Sequence, residues 1–240
     1  MSAVKVSASL KCLLAPNPSA YTMEGTNTWI WSGPVQGCVV VDPGPADRSH
    51  LDNILAELDA PLTAIVLTHD HSDHADGAAD LAATTGAPIL SWRTRRLDEA
   101  ILNPLRIVHL PGHSADSIGI IFPDVGAIAT GDTIFAEGST LIDWPDSSLA
   151  DYLETLTTLR RLVVDKGLTQ ILPGHGPIIT NPLAKIDHYY AHRLERLDQV
   201  REVMDHSLDD IITLIYGDLS KELLEAAQAN VQAQLEYLNP

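Results

Sequence analysis

Seven residues, Thr68-His69-Asp70-His71-Ser72-Asp73-His74, follow directly after the apolar run Ala64-Ile65-Val66-Leu67. An apolar run that ends in a polar cluster is typical of a buried strand that delivers side chains at its carboxyl end. Imidazole nitrogens and carboxylate oxygens are the ligands of zinc and of similar metal ions. A solvated polar turn gives no reason for three histidines within six positions. The pattern therefore predicts a metal site at the edge of a sheet.

Three further histidine or aspartate residues stand beside a glycine at predicted strand ends, in Pro111-Gly112-His113, Thr130-Gly131-Asp132 and Pro173-Gly174-His175. Glycine permits the tight turn that such a position needs. One Gly-His pair would mean little, but repeated strand-end sites in this order are hard to explain by packing alone. The predicted ligands are His69, His71, Asp73, His74, His113, Asp132 and His175.

These ligands suffice for two metal ions. His69 and His71 alternate along an extended segment, so both reach one ion, with His113 as its third ligand. Asp73, His74 and His175 are assigned to the second ion, and Asp132 bridges the two through its carboxylate oxygens, as in two-metal hydrolytic sites. We expect two Zn²⁺ ions, although iron or manganese would also fit these ligands.

The length and charge limit the other classes of function. A chain of 240 residues forms one large domain, or one domain with an appendage. Its formal net charge of -17 opposes non-specific attraction to nucleic acids and to anionic membranes. We therefore expect a small-molecule substrate, no membrane partner, and RNA only as a disfavoured alternative. The oligomeric state is left open.

The two cysteines and the first residues predict a cytoplasmic protein. Lys11 interrupts the early apolar residues, so no signal peptide is expected, and no stretch has the length of a transmembrane helix. Cys12 and Cys38 lie far apart, and neither belongs to a Cys-x-x-Cys motif. Both are therefore expected as free thiols.

Strands come first in antiparallel pairs and then alternate with helices, which predicts an α/β protein whose sheets carry helices on the outside. The turn Ser32-Gly33-Pro34 joins the first strand pair, and Gly86 ends one helix. Strands are predicted over 28–31, 38–41, 64–67, 88–90, 106–110, 117–122, 126–130 and 171–172, and helices from about residue 46, over 75–85 and over 149–163.

After residue 182 the pattern becomes almost entirely helical, so we predict a catalytic domain over residues 1–182 and a helical subdomain over 183–240. The helices are expected to pack on the core, because no low-complexity linker precedes them. Helical spacing predicts one apolar face from Leu183, Ile186, Tyr190, Leu194, Leu197 and Met204, and another from Leu224, Ala227, Val231, Leu235 and Leu238.

The motif His69-x-His71-x-Asp73-His74, with the later glycine-linked ligands, resembles the metallo-β-lactamase fold superfamily. The segments Asn17-Pro18-Ser19, Glu24-Gly25-Thr26-Asn27-Thr28 and Tyr190-Ala191-His192-Arg193 resemble its β-lactamase-like protein 2 branch, which is related to glyoxalase II. The resemblance implies an αββα sandwich with a dinuclear site at one edge. It also implies a C-terminal, winged-helix-like subdomain, which we expect to be truncated before the final β-wing.

The resemblance implies a zinc-dependent hydrolase that uses a metal-bound hydroxide on an ester, a thioester or a related small substrate. Asp73 and Asp132 are the expected catalytic carboxylates, and His192 and Arg193 the expected substrate contacts, with packing as their alternative role. Asp132 argues against an antibiotic-degrading lactamase, because lactamases usually carry another residue there. The alternative function is a single-strand RNA endonuclease. Weak promiscuous β-lactam cleavage would be consistent with an open dinuclear site, but it is not expected as the main role.

The remaining histidines and charges receive less specific interpretations. His109 is expected in the core or at its rim, and His50 in solvent at a helix start. Asp42 is either an acceptor for a metal-binding imidazole or a turn residue before Pro43. The basic cluster of Arg93, Arg95 and Arg96 is expected on a solvated face rather than in a phosphate site.

Overall fold

Two β-sheets carry the strands of this chain in the computed structural model, which describes residues 2–33, 37–94 and 102–239. The first has the order β1-β2-β3-β4-β5-β6, antiparallel as far as β4 and parallel from β4 to β6. Its strands are β1 (Val4–Lys5), β2 (Leu10–Leu14), β3 (Asn27–Gly33), β4 (Gly37–Val41), β5 (Leu62–Val66) and β6 (Ile89–Leu90).

The second sheet has the order β10-β9-β8-β7, in which only the β10–β9 pair is parallel. Its strands are β7 (Arg106–His109), β8 (Ile118–Phe122), β9 (Ala127–Gly131) and β10 (Gln170–Pro173). The described helices are α1 (Arg48–Ala56), α2 (Ser72–Ala75), α3 (Ala78–Thr85), α4 (Leu149–Lys166), α5 (Pro182–Val203), α6 (Leu208–Tyr216) and α7 (Lys221–Leu238).

Alternating side chains divide the core into layers. In β3, Trp29 and Trp31 belong to the core that also holds Ile120 and Phe122 of β8, whereas Ile30 belongs to the core beneath α1 and α3. Ile128 of β9 faces the opposite way from its neighbours and packs with α4. Because successive side chains of a strand point to opposite faces, each sheet is apolar on both sides. The predicted αββα sandwich is therefore confirmed.

Most predicted elements are present, with two differences near the amino terminus and the ligand motif. The strands β1 and β2 were not expected from the sequence. The helix predicted over 75–85 is divided into α2 and α3 at Gly77, whose N–H donates to the carbonyl of Gly44 at 2.9 Å. A Cβ at position 77 would lie 3.0 Å from the Pro45 carbonyl oxygen, so this close approach favours glycine.

The C-terminal helices pack on the core as predicted, but α5 is rotated relative to the expected apolar face. Tyr189 and Arg193 are buried, while Tyr190 and Leu194 are 38% and 40% exposed. Helical spacing alone could not separate these neighbouring positions, because the Tyr189 hydroxyl and the Arg193 guanidinium find polar partners inside. Leu224 of the second predicted face is likewise exposed.

The domain boundary predicted near residue 182 falls at the start of α5, and the division into two units stays a prediction. Pro34 of the predicted turn, and Arg95 and Arg96 of the basic cluster, lie outside the described residues. No helix in the described part of the chain is both long and apolar enough to cross a membrane.

His50 is buried rather than solvated, contrary to the expectation from its place at a helix start. It is 1% exposed, and its Nε2 lies 2.9 Å from the hydroxyl of Thr28. That hydroxyl donates to the Asp42 carbonyl, so the imidazole N–H is the donor to Thr28. Burial lowers the pKa of His50 to about 4, which keeps the side chain neutral beneath the loop that follows β4.

We predict that His50 makes the fold sensitive to mild acid. Its pKa is about 4 in the folded chain against an ordinary 6.5, so the unfolded chain binds the extra proton between these values. Stability should therefore fall as pH drops through that window. Between pH 7 and pH 5, the wild type should lose about 2 kcal/mol more free energy of unfolding than His50→Gln, whose amide still donates to Thr28. Urea unfolding at both pH values, with a chelator present, measures this difference. Equal losses in the two proteins would contradict it.

Candidate metal centre

All seven predicted ligand residues lie where strands of the two sheets end. His69 and the residues up to His74 follow β5, His113 follows β7, Asp132 follows β9 and His175 follows β10. The two sheets are joined at this edge, because the N–H of Ile118 donates to the Thr68 carbonyl at 2.8 Å. The sandwich therefore brings together side chains that are more than a hundred positions apart in the chain.

The residues form two adjacent groups, and in each group the potential ligand atoms all lie within 4.8 Å of one another. The first contains His69, His71 and His113, with the Nε2 of His113 3.1 Å from the Nδ1 of His71. The Nε2 of His69 is buried without a hydrogen-bond partner among the described residues. A buried imidazole nitrogen without a partner is costly, and a metal ion would satisfy it.

The second group contains Asp73, His74, Asp132 and His175. The Nε2 atoms of His74 and His175 are 3.2 Å apart, and His175 Nε2 lies 3.1 Å from Asp73 and 3.3 Å from Asp132. One oxygen of Asp132 also lies 3.9 Å from His113 Nε2 in the first group. Asp132 is therefore placed between the two groups, as a bridging carboxylate requires. The structure brings all seven residues together, while their roles as ligands stay predictions.

The Asp42 carboxylate orients two of these imidazoles, His74 directly and His69 through Thr68. Its Oδ2 accepts from the Nδ1 of His74 at 2.9 Å and from the Thr68 hydroxyl at 2.7 Å, and its Oδ1 accepts from the Thr68 N–H. Since the Thr68 hydroxyl donates to Asp42, it accepts from His69 Nδ1 at 3.0 Å. The Nε2 atoms of His69 and His74 are thus left free to bind an ion. Of the two interpretations of Asp42, the structure supports the acceptor.

The other three imidazoles are oriented by partners that sequence reasoning missed. His71 Nε2 lies 3.3 Å from Asp143, His113 donates from Nδ1 to the Leu141 carbonyl at 3.0 Å, and His175 Nδ1 lies 3.1 Å from the Gly25 carbonyl. Two of these acceptors are backbone atoms, which no side-chain pattern reveals. Asp143 lies in an irregular segment without periodicity, so nothing in the sequence marked it.

Two glycines leave room for this arrangement. A Cβ on Gly174 would lie 2.2 Å from Asp132 Oδ1 and 2.6 Å from His74 Cε1. A Cβ on Gly131 would lie 2.4 Å from the Thr68 hydroxyl, and Gly131 has a φ of +50°. The glycines beside the ligands therefore serve close approach, as well as the turns predicted from the sequence.

The histidine pKa values shift in opposite directions in the two groups. Burial and the neighbouring imidazoles lower the pKa of His69 well below its ordinary value, and burial also lowers the pKa of His113. In the second group burial opposes charge as well, but Asp132 outweighs it and raises the pKa of His175 to about 9. The same pairing, with His74 and His175, holds the pKa of Asp132 well below its usual range. Without metal, the second group is a network of ion pairs around Asp132.

A cavity of about 690 Å³ opens from these residues toward the C-terminal helices. Its inner end is formed by His71, Asp73, His113 and Asp132, and its sides by the 19–23 and 135–141 segments. The outer wall comes from the C-terminal helices α5, α6 and α7 and from Leu219 between the last two. Its residues are His192, Arg193, Arg196, Tyr216, Leu219, Leu223, Ala226, Ala227 and Asn230. A concave, largely apolar site with a few polar groups is typical of small-molecule binding.

The two predicted substrate contacts occupy different positions in this cavity. His192 is half-buried on the cavity wall, and burial lowers its pKa. Arg193 is 4% exposed; it donates to the Thr140 carbonyl and to Asn230, and its guanidinium lies 4.8 Å from the ring centre of Tyr152. Arg193 therefore has packing contacts and also faces the cavity. The substrate contacts stay predictions.

Of the side chains left out of the ligand set, His109 stacks on Trp92 and lies 2.9 Å from the Ala115 carbonyl. Arg93 forms ion pairs with Asp70, Asp116 and Asp146, so its charge is already matched by carboxylates. The described part of the basic cluster is thus unsuited to phosphate binding.

Known proteins are similar to this chain in sequence and in fold. A family model described as "Metallo-beta-lactamase superfamily" matches residues 22–91 and 95–175. The "Beta-lactamase-like protein 2 homolog" of Drosophila melanogaster is 28% identical, over 98% of this chain and 89% of that protein. The "Atrochrysone carboxyl ACP thioesterase" of Aspergillus chevalieri is 27% identical, over 93% and 79%. A beta-lactamase domain protein from Burkholderia ambifaria has a similar structure, with a TM-score of 0.81 at 21% identity, covering 98% of this chain and 87% of that one.

We predict that Asp42→Asn weakens metal binding. The amide would present an N–H to the Nδ1–H of His74, so the imidazole would turn or change tautomer. Zinc affinity, measured by competition with a chromophoric chelator, should fall about tenfold to a hundredfold. Asp143→Asn is the matched comparison: its carboxylate is 42% exposed, so the imidazole of His71 can turn to water instead. Its effect should be smaller, and the reverse order would contradict the role assigned to Asp42.

Proposed function

The chain belongs to the metallo-beta-lactamase superfamily, and on that premise we propose that it is a dinuclear metal-dependent hydrolase of esters, thioesters or related small substrates. One observation carries the proposal: two groups of metal-binding side chains share Asp132 at the inner end of one cavity. Members of this superfamily are generally hydrolases, and nothing in the candidate ligand set is missing.

The residues present fit a pair of zinc ions. Five imidazoles and two carboxylates form the donor set. The buried Nε2 of His69, which has no hydrogen-bond partner among the described residues, is suited to binding a metal ion. Iron or manganese would be held by the same atoms, since availability as well as geometry governs selection. When bound, two such ions would polarise the scissile carbonyl or phosphoryl group and make a nearby water molecule more acidic.

The protein's own groups supply position and charge. Asp132 and Asp73, both at the inner end of the cavity, are proposed to orient the attacking water. Asp42 keeps His69 and His74 in one tautomer, with their Nε2 atoms directed toward the cluster. His192 and Arg193, on the cavity wall, are proposed to contact the substrate. Such preorganised groups contribute most where water is excluded.

The relatives and the cavity favour a thioester over RNA. One similar protein is named as an acyl-carrier-protein thioesterase, which supports thioester cleavage here. The described cavity contains only two arginines and ends in an apolar wall, whereas single-stranded nucleic acid needs a basic track with stacking platforms.

The cysteines Cys12 and Cys38 are both free thiols, which supports the proposed cytoplasmic location.

The proposal predicts turnover that depends on metal. A panel of an acyl thioester, a lactone, a phosphodiester, single-stranded RNA and a β-lactam should include at least one ester or thioester that is hydrolysed. Chelator should abolish that turnover, and added zinc should restore it, because water attack needs the bound ions. Faster cleavage of RNA than of every small substrate would favour the endonuclease instead. No turnover with both metals bound would reject the enzyme proposal.

Asp132→Asn should remove the negative charge that is proposed to bridge the two ions. The substitution keeps the shape of the side chain but removes the charge between His74, His175 and His113. We expect the metal content to fall from two ions toward one and kcat to fall at least a hundredfold, which corresponds to about 2.7 kcal/mol in the barrier. Asp76→Asn is the matched control, because Asp76 directly follows the ligand motif after β5 but is exposed and belongs to neither ligand group. Full metal content and activity in Asp132→Asn would refute the bridging role.

A further inference from the structure

Two arginines that line the cavity lack a carboxylate partner, unlike four other described arginines. Arg48, Arg93, Arg160 and Arg201 each pair with at least one aspartate. Arg193 and Arg196 form no ion pair with any described side chain, although the sequence holds 32 acidic residues against 15 basic ones. Arg106 and Arg161 also lack a carboxylate partner among the described residues, but both are exposed, so water solvates their charge. Arg193 is buried and Arg196 half-buried, so their unpaired charges are unexpected in a protein with this excess of acid.

Arg193 is the stronger signal, because it is almost completely buried. A guanidinium taken out of water is costly without an anionic partner. Its two terminal nitrogens reach only neutral acceptors, the Thr140 carbonyl and the amide oxygen of Asn230. Its Nε has no hydrogen-bond partner among the described residues, and the side chain borders the cavity. The charge and one donor are therefore left for a ligand.

Arg196 lies one helical turn further along α5 and borders the same cavity. Its guanidinium is held 4.7 Å from the ring centre of Tyr216 and donates to Gln199 and to the Ile215 carbonyl, all of them neutral groups. The half-buried Arg196 thus adds a second positive charge to the cavity lining.

Another part of the cavity lining is apolar. Leu219, Leu223, Ala226 and Ala227 border the cavity, and Leu223 remains 39% exposed. The alanines leave space between the helices where larger side chains would fill it. An acyl chain lying on this part of the lining would remove apolar surface from water.

We propose that the substrate is an amphipathic anion: an acyl thioester with a long apolar acyl group and a carboxylate or phosphate that binds Arg193 and Arg196. This inference rests on the proposed hydrolase function and narrows it to one class of substrate. The anion is either a carboxylate on the acyl group or a phosphate on the thiol carrier, and both would meet the same pair of guanidinium groups.

Three thioesters of equal acyl length separate these sources. They are octanoyl-pantetheine, which is neutral, octanoyl-4′-phosphopantetheine, and the pantetheine monothioester of suberic acid. With the zinc-loaded wild type, kcat/KM should be about tenfold higher or more for at least one anionic thioester than for the neutral one. The preferred anion identifies its source. Equal kcat/KM for all three would overturn the proposal.

Variants then test the arginines. Arg196→Gln and Arg193→Lys should each reduce the advantage of the anionic thioester to about threefold or less, the lysine because it lacks the planar donor fork. Arg201→Gln is the control on the same helix, because Arg201 is exposed, lies outside the cavity and pairs with Asp198. It should keep the full advantage. An unchanged preference in both cavity variants would overturn the assignment.

A binding measurement separates failure of this inference from failure of the hydrolase proposal. Octanesulfonate, an amphipathic anion that coordinates metals weakly, is titrated into the zinc-loaded protein by calorimetry. Saturable binding that weakens about tenfold in Arg196→Gln supports the anion site, even if no thioester is hydrolysed. Absence of binding to the wild type, or equal binding to Arg196→Gln and Arg201→Gln, would overturn the site while leaving thioester hydrolysis intact.

Discussion

The candidate metal centre depends on the hydrogen bonds that the Asp42 carboxylate accepts. Asp42 is 1% exposed and lies at the end of β4 with a φ of +51°. A buried carboxylate is costly unless it is hydrogen-bonded, and here it accepts from the Thr68 N–H, the Thr68 hydroxyl and His74. One side chain thus joins two neighbouring strands and orients two imidazoles.

The sandwich determines what can lie beyond that carboxylate. Trp29 and Trp31 of the first sheet and Phe122 of the second fill the space between the sheets and keep their edges in register. At the edge, the four strand ends β5, β7, β9 and β10 carry every candidate ligand. Because the interior is close-packed, these side chains have few alternative positions. The site is therefore preorganised by apolar packing at a distance from the chemistry.

Helices α4 and α5 are joined to the candidate metal centre through the 133–140 segment. Tyr152 of α4 donates to the Thr133 carbonyl, and Tyr189 of α5 accepts from the Phe135 N–H and donates to the Gly138 carbonyl. Arg193 donates to the Thr140 carbonyl, while the Thr140 hydroxyl donates to the Asp132 carbonyl. The 133–140 segment that walls the cavity is thus held by buried hydrogen bonds, and a change in α5 reaches the carboxylate between the two groups through few contacts.

Much of this protein was determined by the sequence itself. An apolar run before a dense His and Asp motif, and glycines beside later His and Asp residues, were enough to identify the seven candidate ligands and sheets with helices on the outside, because strand ends and side-chain periodicity are local properties. The αββα arrangement itself was expected from the family resemblance. The tertiary structure decided what depends on distant contacts. It buried His50 at a helix start, turned Tyr189 and Arg193 inward instead of Tyr190 and Leu194, and supplied backbone acceptors for His113 and His175. Local spacing cannot specify such positions, because the partner that satisfies a buried polar group arrives from another part of the chain.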